Sequence, residues 1–276
     1  MPRPIWSGSI SFGLVNVPVK LFTAVSQKDV RFNQLHSKDN ARIKQKRVSA
    51  VTGEEIPYDE IVKGYEVAPD QYVVLEPNEL ESLDPKATHT IEIEEFVHLD
   101  QIDPLYFDKP YYLVPDQRAG KPYKLLAEAL EETDKVAIAK FVMRTKEYLA
   151  AIRVKNGVLI IEIMNYADEI VDADDLEGLP GDDIELTEKE VKMAKQLIDS
   201  LTADDFEPEK YEDTYREKVM ELIEAKAAGE VFTAPATEAE PAKVENLLAA
   251  LEASVNAARE ARGNKPEDDK QNDGAE

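Results

Sequence analysis

The sequence contains no cysteine and only three histidines among its 276 residues. Without cysteine the chain can form no disulfide, no thiolate nucleophile and no cysteine-ligated metal site, which is typical of proteins from a reducing cytoplasm. The histidines His36, His89 and His98 are too far apart for the spacing of a His-x3-His metal pair. Because the N-terminus also lacks the apolar core of a signal peptide, we expect a cytoplasmic protein.

Long apolar runs and catalytic motifs are missing as well. The longest uninterrupted aliphatic run spans residues 247–251, far short of a membrane span, so no membrane partner is predicted. The sequence has neither the glycine-rich phosphate-binding motifs nor the G-x-S-x-G nucleophile motif. Carboxylate pairs such as Asp204 and Asp205 are too common in so acidic a chain to indicate acid–base catalysis. We therefore predict that the protein is not an enzyme and holds no metal or cofactor.

Acidic residues dominate, but the two signs of charge are segregated along the chain. There are 57 acidic and 33 basic residues, for a net charge of -24. By segment the charge is +7 over residues 1–50, -14 over 51–108, +4 over 109–160 and -21 over 161–276. Because salt screens fields within about 8–10 Å, these local blocks matter more than the total. The acidic total argues against indiscriminate nucleic-acid binding, while an evenly solvated acidic surface would not produce two alternating basic blocks; a chance fluctuation of surface charge is the alternative.

Period-two patterns predict strands over much of the first 164 residues. They comprise short runs within 7–35, then 71–76, 88–97, 110–115, a hairpin of 136–144 with 147–154, and 157–164. The segment 41–51 also alternates, with Arg42, Lys44 and Lys46 on one face and Arg47 on the other. A strand that is basic on both faces is a poor core strand, so we predict that it protrudes.

Helical patterns are interspersed and then dominate beyond residue 168, which indicates a mixed α+β chain. Proline at the start predicts helices over 77–83 and 122–133. Thr187 and Glu190 form a capping box that opens a helix to about Leu201, and a helix over 212–228 stops at Gly229. We divide the chain into a core, 1–229, and a C-terminal region, 230–276. The latter contains a linker, a short amphipathic helix at about 241–262 and a disordered acidic tail.

Several motifs follow one another along the chain. They are IWSGSISFGLVNVPVKL at 5–21, RIKQKRV at 42–48, TGEE at 52–55, IVKGY at 61–65, IDPLYFDKPYYL at 102–113, VAIAKFVMR at 136–144, KEYLAAIR at 146–153 and YADEI at 166–170. In content and order they closely resemble bacterial Ku, the DNA-end-binding family of non-homologous end joining. The stretch 204–215 extends the resemblance to about residue 228, so that it covers most of the chain.

The resemblance implies a Ku core, with a β-barrel, an extended bridge arm and C-terminal helices. Two subunits would join into a homodimeric ring that encircles double-stranded DNA ends without reading their sequence. The family has no catalysis of its own, and it recruits and stimulates DNA ligase D in double-strand break repair. The implied partners are DNA ends, a second copy and DNA ligase D, and the implied place of action is the nucleoid in the cytoplasm.

A ring that slides on DNA needs cations at the phosphates rather than contacts with the bases. The two basic blocks fall where the family has its bridge and a hairpin of its barrel. The predicted DNA-binding residues are Arg31, Lys38, Arg42, Lys44, Lys46, Arg47, Lys140, Arg144, Lys146 and Arg153. Lys124 and Lys135 are weaker candidates, and every cation has an alternative role as an ordinary solvated side chain. We expect Trp6 in the barrel core rather than stacked on a base.

The C-terminal helix resembles the short region that the family uses to contact the ligase. Its apolar stripe gives the ligase-interaction candidates Val244, Leu247, Leu248, Leu251 and Val255. Many family members add a lysine-rich extension, whereas this sequence ends in EDDKQNDGAE, so we expect no tail-assisted binding. The acidic surface should repel DNA outside the channel and so favour entry at ends.

Two other readings of the sequence stay open. The protein could be an acidic, non-catalytic adaptor or scaffold without direct DNA binding, whose basic blocks only pair with the acidic block at 51–108. A nuclease would instead need clustered carboxylates around a divalent metal.

Overall fold

Nine strands lie within the described residues of the computed structural model, which are 3–76, 78–80, 89–181, 184–229 and 247–263. They are β1 (Trp6–Phe12), β2 (Val15–Thr23), β3 (Lys63–Ala68), β4 (Gln71–Leu75), β5 (Thr90–His98), β6 (Phe107–Pro115), β7 (Lys135–Met143), β8 (Lys146–Lys155) and β9 (Val158–Met164). Seven close into a barrel in the order β1-β2-β6-β9-β8-β7-β5, and β3 pairs with β4 in a separate antiparallel ribbon. This confirms the predicted barrel.

The barrel closes through one parallel seam. β1 and β5 pair in parallel from Ser9 with Thr90 to Ser11 with Glu92, whereas the other barrel neighbours are antiparallel. Gly8 allows this close approach, because a Cβ there would lie 2.1 Å from the His89 carbonyl oxygen and 2.2 Å from the Trp6 ring. Only glycine fits at this position without a shift of the neighbouring backbone.

Inward-facing side chains of the strands fill the barrel. The largest fully buried ones are Ile10, Val17, Val19, Leu21, Ile91, Leu113, Ile152, Leu159 and Ile161. Trp6 joins this core, which confirms the expectation from the sequence. Its indole Nε1 donates to the Val142 carbonyl oxygen at 3.0 Å, and its ring meets that of Phe141 edge-on at 5.7 Å.

Helix α1 (Gly120–Thr133) packs against β2, β7 and β8. Its buried residues Tyr123, Leu126, Ala127 and Leu130 recur at helical spacing and form one apolar face. The Tyr123 hydroxyl donates to the Leu113 carbonyl oxygen at 2.7 Å and accepts from the Leu159 amide at 2.8 Å. Since Leu113 and Leu159 are opposite each other in the β6–β9 ladder, this hydroxyl joins two strands. Burial raises the pKa of Tyr123, which keeps the hydroxyl protonated as a donor.

Replacing Tyr123 by phenylalanine is expected to lower the free energy of unfolding by about 2 kcal/mol. The change leaves the Leu113 carbonyl and the Leu159 amide without their partner inside the protein, which costs about 1–3 kcal/mol for a buried group. Urea unfolding followed by circular dichroism measures the change. The matched control is Tyr112→Phe, because Tyr112 is 41% exposed. Removing its hydroxyl should lower the free energy of unfolding by no more than about 0.5 kcal/mol. Equal effects of the two substitutions would contradict the bridging role.

The chain divides into two compact units, residues 1–175 and 176–276. The second unit contains α2 (Glu188–Leu201), α3 (Thr214–Ala227) and α4 (Leu247–Gly263). The predicted capping box at the start of α2 is confirmed, with Thr187 Oγ1 accepting from the Glu190 amide and Glu190 accepting from the Thr187 amide. The predicted division at residue 229 stays a prediction, since 230–246 and 264–276 lie outside the described residues.

Most predicted elements agree with the structure to within a few residues, but the strand predicted over 41–51 is wrong. That segment contains no regular strand and makes only isolated bridges, Leu35 with Arg42 and Val48 with Glu55. The helix predicted over 77–83 lies mostly outside the described residues. Among the helices of the described ranges, none has the length and hydropathy that crossing a bilayer requires.

Candidate nucleic-acid interface

Six of the predicted DNA-binding cations lie on one exposed segment, residues 24–57, which we call the basic arm. The arm connects β2 to the ribbon and contains neither a helix nor a regular strand. The six are Arg31, Lys38, Arg42, Lys44, Lys46 and Arg47, and all are exposed. Long cations on such a segment can reach phosphates without moving the barrel.

The first of two tight loops in the arm spans residues 34–43. The Ile43 amide donates to the Gln34 carbonyl oxygen at 3.1 Å, and the His36 amide donates to the Ala41 carbonyl oxygen at 2.8 Å. Asp39 Oδ1 accepts from the Ala41 amide at 3.0 Å and lies 2.8 Å from His36 Nδ1. These contacts, the Ala41 amide first, hold the pKa of Asp39 below its usual value. The loop therefore keeps a defined turn although no sheet supports it.

A second loop spans residues 47–56. The Ile56 amide donates to the Arg47 carbonyl oxygen at 2.9 Å, and Gly53 takes a left-handed conformation with φ of 72° that favours glycine. The Arg47 guanidinium lies 5.2 Å from the centroid of the Tyr58 ring, within the range of a cation–π contact. Lys46 Nζ pairs with Glu55 across the loop.

The other four predicted cations lie on β7, β8 and the turn between them. Lys140 and Arg144 are exposed, and Arg144 occupies the turn with φ of 63°. Lys146 Nζ lies 3.7 Å from Glu169 and 5.5 Å from the centroid of the Tyr148 ring. Arg153 differs from the rest, because it is half-buried and its Nε donates to Glu162 on β9. Its charge is already matched within the barrel.

Ion pairing separates the ten cations into two groups. Lys46, Lys146 and Arg153 pair with carboxylates, and only the partner of Lys46 belongs to the acidic block at 51–108. The other seven have no ion pair among the residues that the structure describes; they are Arg31, Lys38, Arg42, Lys44, Arg47, Lys140 and Arg144. Internal pairing with the acidic block therefore accounts for one cation of the set.

Reasoning from the sequence missed the residues that position the arm cations. Asn33 Oδ1 accepts from Arg42 Nη2 at 2.5 Å, and Tyr58 lies beneath Arg47. The feature of the sequence that could have found them is the spacing across each loop. Residues nine to eleven positions apart meet when a short loop closes between them. Within the described ranges, no group of three or more His, Asp or Glu side chains is placed to hold a metal ion.

The ligase-interaction candidates lie at the C-terminal helix. Val255 is 3% exposed, and Leu248 and Leu251 are half-buried. Leu247 is the first residue of α4, and Val244 lies outside the described residues. Within the second compact unit, this helix packs against α2.

A closed barrel that carries an exposed arm of mostly unpaired cations defines a class of protein suited to a polyanion, since it offers point charges that can meet phosphates. The family model described as Ku70/Ku80 beta-barrel domain matches residues 11–193. The chain is 52% identical over 260 residues to "Non-homologous end joining protein Ku" of Anaeromyxobacter sp. (strain K), covering 94% of this chain and 87% of that one.

A second similar protein carries the same name in Mycobacterium tuberculosis. It is 44% identical over 274 residues, which cover 96% of this chain and 98% of the relative. The chain therefore belongs to the Ku family.

Proposed function

We propose that this protein binds double-stranded DNA ends irrespective of sequence, as a homodimeric ring, and that it recruits and stimulates DNA ligase D in non-homologous end joining at the nucleoid. The observation that carries the proposal is the basic arm, whose cations Arg31, Lys38, Arg42, Lys44 and Arg47 have no carboxylate partner in the described residues. Cations without partners on an exposed segment supply phosphate contacts rather than base recognition.

Exposed apolar side chains on the β3–β4 ribbon support the proposed homodimer. A two-stranded ribbon is marginally stable alone in water, and this one exposes apolar groups along both strands. They are Tyr65, Val67, Tyr72, Val73 and Val74. A second copy would cover such a surface, and the same contact would order the arm that leads into the ribbon.

A gel-shift titration that compares a short linear duplex with a covalently closed circle of matched length tests the proposal. We expect binding to the linear duplex alone, because a closed ring can be threaded only at an end. Repeating the titration at two salt concentrations should give a log–log slope of about -0.9 for each phosphate contacted. Comparable affinity for the circle would reject threading and leave surface binding.

The acidic adaptor remains the second candidate, and the Lys46–Glu55 pair is the observation that favours it. An adaptor of this kind has no DNA affinity for salt to weaken. Absence of binding to both DNA forms would therefore support it. Magnesium-dependent cleavage by the purified chain would instead contradict the proposal that the protein is not an enzyme.

A further inference from the structure

The apolar side of α4 packs against another helix of the same chain. In α4, Leu248 and Leu251 are half-buried and Val255 is 3% exposed, at the spacing of one helix face. The element that packs against α4 is α2 of the same compact unit. The described part of the stripe, Leu248, Leu251 and Val255, is therefore at least partly covered.

The facing side of α2 has a matching pattern. Its half-buried residues cluster on one side of the helix; they are Glu190, Met193, Ala194, Gln196, Leu197 and Ser200. Ile198, one residue after Leu197 and about 100° around the helix, lies off this face and is 65% exposed. Lys189 Nζ lies 3.5 Å from Glu252 Oε1, so an ion pair joins α2 to α4 beside the apolar contact.

We infer that α2 holds the apolar stripe of α4 in the chain without a partner, and that a partner which takes α4 by this stripe must displace α2. The inference deepens the proposed ligase contact and rests on it only for the identity of the partner. A helix bound by anchors at i, i+3 and i+7 cannot present the same anchors to two grooves at once. The apparent affinity for the partner is then the intrinsic affinity multiplied by the fraction of chains in which α4 is released from α2.

The test uses the full-length chain with Leu197→Asp, a substitution on α2 that leaves the α4 stripe intact. An aspartate at this half-buried position has no partner to compensate its desolvation, so α4 should be released. The matched control is Ile198→Asp, which places the same charge one residue later on the exposed side. Amide hydrogen exchange of residues 247–263 reports release, and titration with DNA ligase D reports the affinity.

We expect Leu197→Asp to speed exchange of α4 by about tenfold and to tighten ligase binding by about tenfold, while Ile198→Asp changes each by less than about twofold. Unchanged exchange in Leu197→Asp would overturn the docking of α4 on α2. Faster exchange with unchanged ligase affinity would overturn the competition. If no variant binds ligase D, the ligase contact and the competition both fail, and the exchange data still decide the docking.

A charge swap keeps the inference testable if Leu197→Asp disturbs the second unit. Lys189→Glu alone should speed exchange of α4 modestly, by about twofold, because the pair is exposed. Adding Glu252→Lys should restore the original rate, and failure to restore it would contradict a contact between the two helices. Exchange that depends on protein concentration would show that α4 docks on a second copy, which overturns the intrachain contact.

Discussion

Replacing Lys44, Lys46 and Arg47 together by alanine should weaken binding to linear duplex by about a hundredfold at 0.1 M salt. Each lost phosphate contact removes about 0.9 from the salt slope, and two unpaired cations account for about 1.8 of it. Lys46 should contribute least, because Glu55 already neutralises it. The loss should be equal for all sequences, since phosphates carry no sequence information. Fluorescence titration at several salt concentrations measures both quantities.

The matched control removes the same charge elsewhere, through Lys195, Lys218 and Lys226, which are exposed on α2 and α3. We expect less than about a threefold change for it, because charges outside the interface act only through a screened field. Glu55→Gln should change the affinity for DNA in the opposite direction. It frees Lys46 from its ion pair and should therefore tighten binding. A loss that varies with DNA sequence, or equal losses in the two triple variants, would contradict the phosphate role of the arm.

Trp6→Ala should lower the free energy of unfolding by about 3–5 kcal/mol, the usual cost of removing a large buried aromatic side chain. The substitution opens a cavity beside Phe141 and removes the hydrogen bond to the Val142 carbonyl. Because Trp6 is the only tryptophan, fluorescence is lost with it, and urea unfolding must be followed by far-ultraviolet circular dichroism.

Trp6→Phe separates the two contributions, since it keeps an aromatic ring and removes the indole donor. We expect it to cost roughly half as much as Trp6→Ala or less, in the range of a smaller cavity plus one hydrogen bond. Leu14→Ala is the surface control, because Leu14 is fully exposed in the turn between β1 and β2. A loss below about 1 kcal/mol in Trp6→Ala would place Trp6 outside the barrel core.

Local sequence patterns were enough to predict much of the fold. The hairpin over 136–154 and the capping box of Thr187 with Glu190 depend on neighbouring residues alone, and both were predicted. The parallel pairing of β1 with β5 was not, because no local pattern specifies which distant strand closes a barrel. The α+β class and the Ku family were predicted and are confirmed.

The arm shows where period-two reasoning fails. The alternation at 41–51 predicted a strand, but a strand needs a neighbour for its amide and carbonyl groups, and here two loops satisfy part of them locally. The positions of the cations followed from the sequence, whereas the pairing of Lys46 with Glu55 and of Arg153 with Glu162 did not. Such pairs depend on loop closure and on strand register, which charge counts do not contain.

The parallel seam of the barrel leads us to expect a late step in folding. Of the described strands β1 comes first in the sequence, and its edge can close only when Ser9 pairs with Thr90, 81 positions later. The meander of β7, β8 and β9 pairs neighbours in sequence and can form first, because short loops cost least entropy to close. Barrels dominated by distant pairings fold in milliseconds to seconds. During that interval the open edges of β1 and β5 are exposed to other nascent chains, so closure of the seam ends the period of greatest aggregation risk.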